Sequence, residues 1–275
     1  MERPLAPTAL VTGASRGIGF AIARALVAEG AAVALAARGR PGLDRARAEL
    51  QREFPGARLV GIECDVVSPD AIRALVLFLE VFEAEHGPLG WLVCNAGVAI
   101  SAPLLPKQPH DTDPFEAHLN VNFHGPRRLV EALAPAMVQR GDGSIVHVAS
   151  SAGLRGYSYV SAYCASKHAL VGFTRAAALE IAPRGVRMHA LCPHYVDSPM
   201  LDASIDNVVA KTGKTREQAR AFFAAENPGK ALVKPADVAQ ATLELLRSPQ
   251  SGIVLEMDGA DSRRVDPGFP AVKRG

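Results

Sequence analysis

The sequence predicts an α/β fold: a doubly wound parallel sheet of about seven strands, flanked by helices on both faces. Three observations carry this prediction. Short β-branched or apolar runs alternate with longer helix-like segments along almost the whole chain. A glycine-rich turn, Gly13-Ala-Ser-Arg-Gly17-Ile-Gly19, joins the first strand-like run to the first helix-like one. No repeat, low-complexity tract or linker interrupts the rhythm, so residues 1–275 are expected to form one domain.

The elements follow in order. Thr8 to Thr12 reads as a strand, Ile18 to Glu29 as a helix and Ala32 to Ala37 as the second strand. Asp44 to Phe54 is helical in pattern, Arg58 to Cys64 strand-like, and Ala71 to Glu85 helical, with Ser68 placed to cap and Pro69 at the first position. Trp91 to Asn95 is the next strand, and a helix starts at Asp113-Pro-Phe-Glu116, where capping-box spacing occurs. Ser144 to Ala149, Val186 to Leu191 and Ile253 to Glu256 read as strands, separated by helices at Ala162 to Ile181 and Pro235 to Leu246. The segment at about 198–229 breaks the rhythm, and Thr215-Arg-Glu-Gln218 is a second capping box within it. Its place beside the carboxyl ends of the strands suits a cover over a ligand. The tail at about 259–275 is polar and is expected either to reach a neighbouring subunit or to be disordered.

Bulk composition narrows the function. The 275 residues carry 30 Lys and Arg against 28 Asp and Glu, a net charge of +2, which gives no field for nucleic acid or an acidic membrane. Cys64, Cys94, Cys164 and Cys192 are far apart, so reduced thiols are expected rather than a disulfide framework. His86, His110, His118, His124, His147, His168 and His189 lack metal-like spacing and read as structural or surface residues, so no metal is expected. No run approaches the ~20 apolar residues of a membrane span, and Met1-Glu-Arg-Pro lacks signal-peptide architecture. A soluble, cytoplasmic protein is the expectation.

The glycine turn suits a pyrophosphate, because glycine lets the backbone turn tightly and approach, and a helix N-terminus offers free N–H groups. The dinucleotide folds that take NAD usually end the second strand in an acid, which holds the ribose hydroxyls. Here that strand ends Ala36-Ala37-Arg38, and Arg16 lies inside the turn. A carboxylate repels a 2′-phosphate and a guanidinium pairs with it, so NADP(H) is favoured over NAD(H), which stays possible.

Tyr163 and Lys167 lie four apart, on one face of a helix. A neighbouring ammonium favours the phenolate, and together with the positive nicotinamide ring of an oxidised cofactor it would bring a tyrosine from about 10 toward neutral pH, where it exchanges protons efficiently. Ser150 ends the strand upstream, where a hydroxyl can hydrogen-bond a substrate oxygen, and Ser151 is its rival.

With these motifs in order, the chain resembles the short-chain dehydrogenase/reductase family in its single-domain form, a Rossmann fold, from about Ala6 to Asp258. The resemblance implies that Gly13, Ser15, Arg16, Gly17, Ile18 and Gly19 hold the cofactor, with Arg38, Asp65 and Val66 about its adenosine half and Asn95-Ala96-Gly97 against it. It implies that Ser150 positions the substrate oxygen and Tyr163 is the general acid and base. Lys167 would lower the pKa of Tyr163 and bind the ribose, and Asn122 would order a proton relay. After the sixth strand, Pro193, Val196 and Ser198 match nicotinamide-side positions, but His194 stands where the family usually has glycine, either against substrate or turned to solvent.

Leu154, Tyr157, His194, Tyr195 and Met200 lie where the family builds its substrate pocket, as do Tyr159, Leu201, Phe222 and Phe223, implying a largely apolar carbonyl or alcohol substrate. The family also implies a homotetramer or homodimer built through the helices at Phe115 to Gln139 and Ala162 to Ile181. Three other readings stand beside the NADP(H)-dependent oxidoreductase: an NAD-dependent hydroxy-lipid or alcohol dehydrogenase, a non-catalytic redox sensor, and an epimerase or dehydratase. The complete Ser150, Tyr163, Lys167 and Asn122 set disfavours the sensor.

Overall fold

The computed structural model describes residues 7–105, 113–258, 262–266 and 268. The chain alternates β1 (Thr8–Thr12), α1 (Gly17–Ala28), β2 (Val33–Ala37), α2 (Arg40–Glu53), β3 (Leu59–Glu63), α3 (Pro69–His86) and β4 (Leu89–Cys94). It continues through α4 (Pro114–Leu119), α5 (Gly125–Arg140), β5 (Gly143–Val148), α6 (Ser161–Ile181) and β6 (Val186–Pro193). Then come α7 (Pro199–Thr212), α8 (Arg216–Glu226), α9 (Pro235–Arg247), β7 (Val254–Met257) and β8 (Ser262–Asp266).

The strands form one sheet in the order β3-β2-β1-β4-β5-β6-β7-β8, parallel throughout except for the antiparallel pair β7 and β8. The order reverses between β1 and β4, and a crevice opens beyond the carboxyl ends of strands at such a switch point. Two apolar layers fill the faces. Leu35, Leu26 and Leu246 belong to the layer under α1, α2 and α9, while Leu92, Leu79, Met137 and Ile145 belong to the layer under α3 and α5. These side chains are fully shielded, so truncating one to alanine costs about 2–5 kcal/mol.

The sheet has eight strands, where the sequence predicts about seven. The additional one, β8, lies in the polar tail to which no element was assigned. Ser-Arg-Arg-Val-Asp has no apolar alternation, and its anchors are ionic. Arg263 Nη2 donates to Glu256 Oε2 at 2.7 Å, and Arg175 Nε on α6 donates to Asp266 Oδ2 at 2.5 Å. Charged residues also guard an open sheet edge against further pairing.

Several boundaries shift by one to four residues, and two of these shifts have a visible cause. Helix α2 starts at Arg40, four residues before the predicted Asp44, because Pro41 fits a first turn. Strand β6 runs to Pro193, since Cys192 and Pro193 still pair with Glu256 and Met257. The predicted helix from Asp113 is capped as expected, with Oδ1 accepting the Phe115 N–H at 2.8 Å, but Asn120–His124 is a π-helical turn. Pro126 sits in the first turn of α5 and has no N–H for the Asn122 carbonyl four residues earlier, so the α-helical ladder is broken there. The Thr215 box forms in full, and α7 and α8 close a small core of Leu201, Ile205, Ala219 and Phe223. Among the described residues no helix is long and apolar enough to cross a membrane.

Candidate functional site

One hydroxyl ties the carboxyl ends of β1 and β4 together. Thr12 Oγ1 accepts the N–H groups of Asn95 at 3.0 Å and Ala96 at 3.1 Å, and donates to the Val93 carbonyl at 3.4 Å. Asn95 Nδ2 donates back to the carbonyls of Thr12 at 3.0 Å and Gly13 at 3.4 Å. The glycine motif read from the sequence begins at Thr12, but that reading assigns Thr12 no role of its own.

The turn that follows suits glycine for reasons visible in the backbone. Gly13 and Gly17 have φ of +65° and +59°, and a Cβ on Gly19 would stand 2.3 Å from the Gly13 carbonyl oxygen. Helix α1 begins with Arg16 as an N-cap whose side chain makes no capping bond, leaving first-turn N–H groups to an anion. Ser15 and Ile18 are half-buried in this turn, and Ser198 with Pro199 closes over Gly17. Arg16 and Arg38 are exposed and pair with no carboxylate among the described residues, unlike Arg40, which bonds Asp44. Asp65 is exposed and accepts the Val67 N–H at 3.0 Å, while Val66 is buried against Gly125. A glycine backbone with no room for side chains, an uncapped helix start and two unpaired guanidinium groups fit the phosphates of a dinucleotide.

The sequence-predicted acid–base residues converge on the other side of the crevice. Ser150 lies two residues beyond β5, and its hydroxyl accepts the Ala152 N–H at 3.1 Å and hydrogen-bonds Tyr163. Lys167, one turn along α6, is buried; its Nζ donates to the Val148 carbonyl at 2.9 Å and lies 5.8 Å from the centre of the Tyr163 ring. Asn122 Oδ1 accepts the Val98 N–H at 2.9 Å, and its Nδ2 donates to the Val98 carbonyl and to Ser166 Oγ, both at 3.0 Å. Ser166 Oγ in turn donates to the Tyr163 carbonyl at 2.7 Å. A Cβ on Gly97 would stand 3.2 Å from Asn122 Oδ1 and 3.8 Å from Lys167 Nζ, so the Asn95-Ala96-Gly97 turn borders both halves of the site.

The electrostatics differ from expectation in one respect. Burial pushes the Tyr163 phenol up to about 12 against the opposing bond from Ser150, whereas the value expected with an oxidised cofactor in place is brought down by Lys167 and the nicotinamide ring together. Burial also lowers Lys167, to about 8. The ammonium is spent on the Val148 carbonyl and lies beside the ring, so in the chain alone desolvation prevails.

Two histidines lie nearer this chemistry than their spacing suggests. His118 accepts the Ile100 N–H at Nε2 (2.9 Å), donates from Nδ1 to the Pro114 carbonyl (2.5 Å), and meets the Tyr163 ring edge-on at 5.9 Å. Burial lowers its pKa, which keeps this single neutral tautomer. His194 is buried rather than turned to solvent, with Nε2 3.0 Å from Glu256 Oε1 and Nδ1 3.4 Å from the Tyr157 hydroxyl. Tyr157 also bonds Ser151 Oγ at 2.8 Å, which separates Ser151 from Ser150 in function of position: one faces Tyr157, the other Tyr163.

Around these groups, the rings of Tyr157 and Tyr195 meet at 6.1 Å, Tyr195 meets Phe223 at 4.9 Å, and Met200 is exposed on α7. Leu154 packs on Leu170 and Val171 in the core. Tyr159, with φ of +63°, borders a cleft of about 200 Å³ with Ile100, Leu104, Phe115 and Ala162. Val196 bridges Val233 through its neighbours: the Tyr195 carbonyl and the Asp197 N–H make the bonds, at 3.0 and 2.9 Å. The amide of Val196 itself therefore faces away from Val233.

The family model described as short chain dehydrogenase matches residues 7–209. A 3beta-hydroxysteroid dehydrogenase of Mediterraneibacter gnavus is 36% identical over 77% of this chain and 74% of its own. A D-beta-hydroxybutyrate dehydrogenase of Cupriavidus necator is 35% identical over 78% of this chain and 80% of its own. Among solved structures, a tryptophan variant of actinorhodin polyketide ketoreductase with NADPH superposes with a TM-score of 0.83 at 34% identity, covering 92% of this chain and 96% of that one. The chain thus belongs to the short-chain dehydrogenase family of oxidoreductases.

Proposed function

We propose that the chain interconverts a ketone or aldehyde and the corresponding alcohol with NADP(H), using Tyr163 as the general acid and base. The observation that carries this reading is the convergence of Ser150, Tyr163, Lys167 and Asn122 at the carboxyl end of β5, across the crevice from an uncapped α1. The NADPH held by the related ketoreductase supports the choice of cofactor, as do the two unpaired guanidinium groups of Arg16 and Arg38.

NADP(H), when bound, gives or takes the hydride. The residues of the chain do the rest. The backbone of Gly13 to Gly19 receives the phosphates, and Arg38 with Arg16 pairs the 2′-phosphate. Asn95, Ala96 and Gly97 form the floor, and Pro193, Val196 and Ser198 border the nicotinamide side. In reduction, Tyr163 passes its hydroxyl proton to the substrate oxygen, to which Ser150 also donates a hydrogen bond. In oxidation the phenolate takes the proton back. Lys167 keeps a positive charge next to the phenol, and Asn122 holds the loop at Val98 in register with α6. The aromatic lining from Tyr157, Tyr195 and Phe223 suits a substrate with a substantial apolar part.

The test is NADPH-dependent reduction of a panel of ketones by the wild type and Tyr163→Phe, with NADPH binding measured in parallel. Loss of about 10²–10⁴ in turnover with binding retained is expected, the range of general acid–base catalysis. A Tyr163→Phe variant that still turns over at the wild-type rate sinks the reading.

A further inference from the structure

A buried polar chain connects the substrate side of the crevice to the far edge of the sheet: Ser151, Tyr157, His194 and Glu256, linked at 2.8, 3.4 and 3.0 Å. Its anchor is a carboxylate that is 5% exposed. Glu256 accepts from Arg155 at Oε1 and from Arg263 at Oε2; against its burial, the bonds from His194 and Arg263 and the charge of Arg155 hold it below the usual carboxylate range. Arg155 belongs to the same loop as Tyr157, so the carboxylate holds that loop both directly and through His194.

An ionised carboxylate only accepts, and this sets the direction of every bond in the chain. His194 Nε2 must carry a hydrogen to donate to Glu256. Where the ring carries that one hydrogen alone, Nδ1 is an acceptor, and the Tyr157 hydroxyl spends its hydrogen on it. Ser151 Oγ must therefore donate to the Tyr157 oxygen. That oxygen keeps a free lone pair and no hydrogen to offer. Its ring stands 6.1 Å from that of Tyr195, and Tyr157 is near enough to Tyr163 to oppose a negative charge there, which sets it at the border of the acid–base group.

We propose that the His194–Glu256 couple fixes Tyr157 as a hydrogen-bond acceptor in the substrate pocket, and that the chain selects substrates bearing a hydroxyl next to the reacting carbonyl. The proposal rests on the oxidoreductase reading and names its substrate class. A second carbonyl at that position meets lone pair with lone pair and is disfavoured; a hydroxyl finds an acceptor. Tyr157 is the specificity residue, and His194 and Glu256 are positioning residues.

The test uses the full chain with NADP+ present and three matched ligands: an alkyl ketone, its α-hydroxy ketone and its α-diketone. Dissociation constants come from calorimetry, and kcat/KM from NADPH consumption. The wild type is expected to bind the hydroxy ketone about tenfold more tightly than the other two, the worth of one hydrogen bond. Tyr157→Phe should bring the three within about twofold of one another.

Glu256→Gln keeps its amide oxygen toward the two donors that share Oε1, Arg155 and His194 Nε2, and is expected to keep the hydroxy-ketone preference. Glu256→Leu removes the acceptor, so nothing holds the hydrogen on His194 Nε2 and the preference is expected to fall to within about twofold. A merely structural tie would lower all three affinities together. Should Glu256→Leu fail to fold, His194→Gln, which can donate toward Glu256 and accept from Tyr157, is expected to keep the hydroxy-ketone preference, and His194→Leu to lose it. Equal affinities in the wild type, or tighter binding of the diketone, overturn the proposal. Preferential binding without turnover of any ketone overturns the oxidoreductase reading and leaves the direction of the Tyr157 bond established.

Discussion

Lys167 Nζ donates to the Val148 carbonyl at 2.9 Å and stands 5.8 Å from the centre of the Tyr163 ring, beside the phenol rather than on its hydroxyl. The ammonium is thereby fixed between β5 and α6, and burial decides the state of Tyr163, pushing it up to about 12. The protonated phenol is the form that carbonyl reduction requires. A folded pKa above the unfolded value of about 10 means that the folded chain holds this proton as pH rises, so stability from this group falls between about pH 10 and 12. Without dinucleotide, tyrosinate absorbance of the wild type and of Tyr163→Phe should therefore rise identically up to about pH 10. A difference of one phenol below that pH would show that Lys167 prevails over desolvation.

Where the sequence was readable, each residue had a local physical reason. Gly13, Gly17 and Gly19 sit where the backbone itself requires glycine, and Tyr163 with Lys167 follows helical spacing. What stayed hidden depended on distant partners. Glu256 meets His194 across 62 positions, and Thr12 meets Asn95 across 83. Strand β8 has no apolar pattern of its own, because Glu256 on β7 and Arg175 on α6 supply its anchors. The π-helical turn needed Pro126 to be read as a missing donor to Asn122, not merely as a helix starter.

Arg38 is exposed at the end of β2 and has no carboxylate partner among the described residues, so removing it breaks no ion pair of the fold. Arg38→Ala should weaken NADPH binding by about 10–100-fold, as expected for a hydrogen bond to a charged group. NADH binding should stay within about twofold, because the lost partner is the 2′-phosphate alone. Fluorescence titration of both nucleotides reads the ratio. An unchanged ratio in the variant would remove Arg38 from cofactor choice.

Thr12 accepts two backbone N–H groups with one oxygen, at 3.0 and 3.1 Å, between strands that flank the switch point. Thr12→Val keeps the shape and deletes the acceptor, leaving the Asn95 and Ala96 amides unpaired. The expected loss is about 2–4 kcal/mol in urea denaturation, from about 1–3 kcal/mol for each unsatisfied group with partial relaxation. Thr12→Ser, which retains the oxygen, should lose less than about 1 kcal/mol. Equal stabilities of the valine and serine variants would mean that the clasp contributes nothing.

Asn122 closes a different seam. Its amide satisfies both backbone groups of Val98 at 2.9 and 3.0 Å and reaches Ser166, which bonds the Tyr163 carbonyl at 2.7 Å. The side chain thus couples the Gly97 turn to the backbone of the acid–base residue, from inside a π-helical turn whose carbonyl ladder Pro126 has broken. Asn122→Leu fills a similar volume but leaves Val98 unpaired, so a loss of about 2–4 kcal/mol in stability is expected. Asn122→Asp keeps the acceptor for the Val98 N–H but sets an acceptor-only oxygen against the Val98 carbonyl and Ser166 Oγ, so it should be no more stable than the leucine variant. If Asn122 also keeps Tyr163 in place, turnover in Asn122→Asp falls further than substrate binding does, and kcat drops with KM little changed. Stability lost in parallel with unchanged kcat would confine Asn122 to holding the seam.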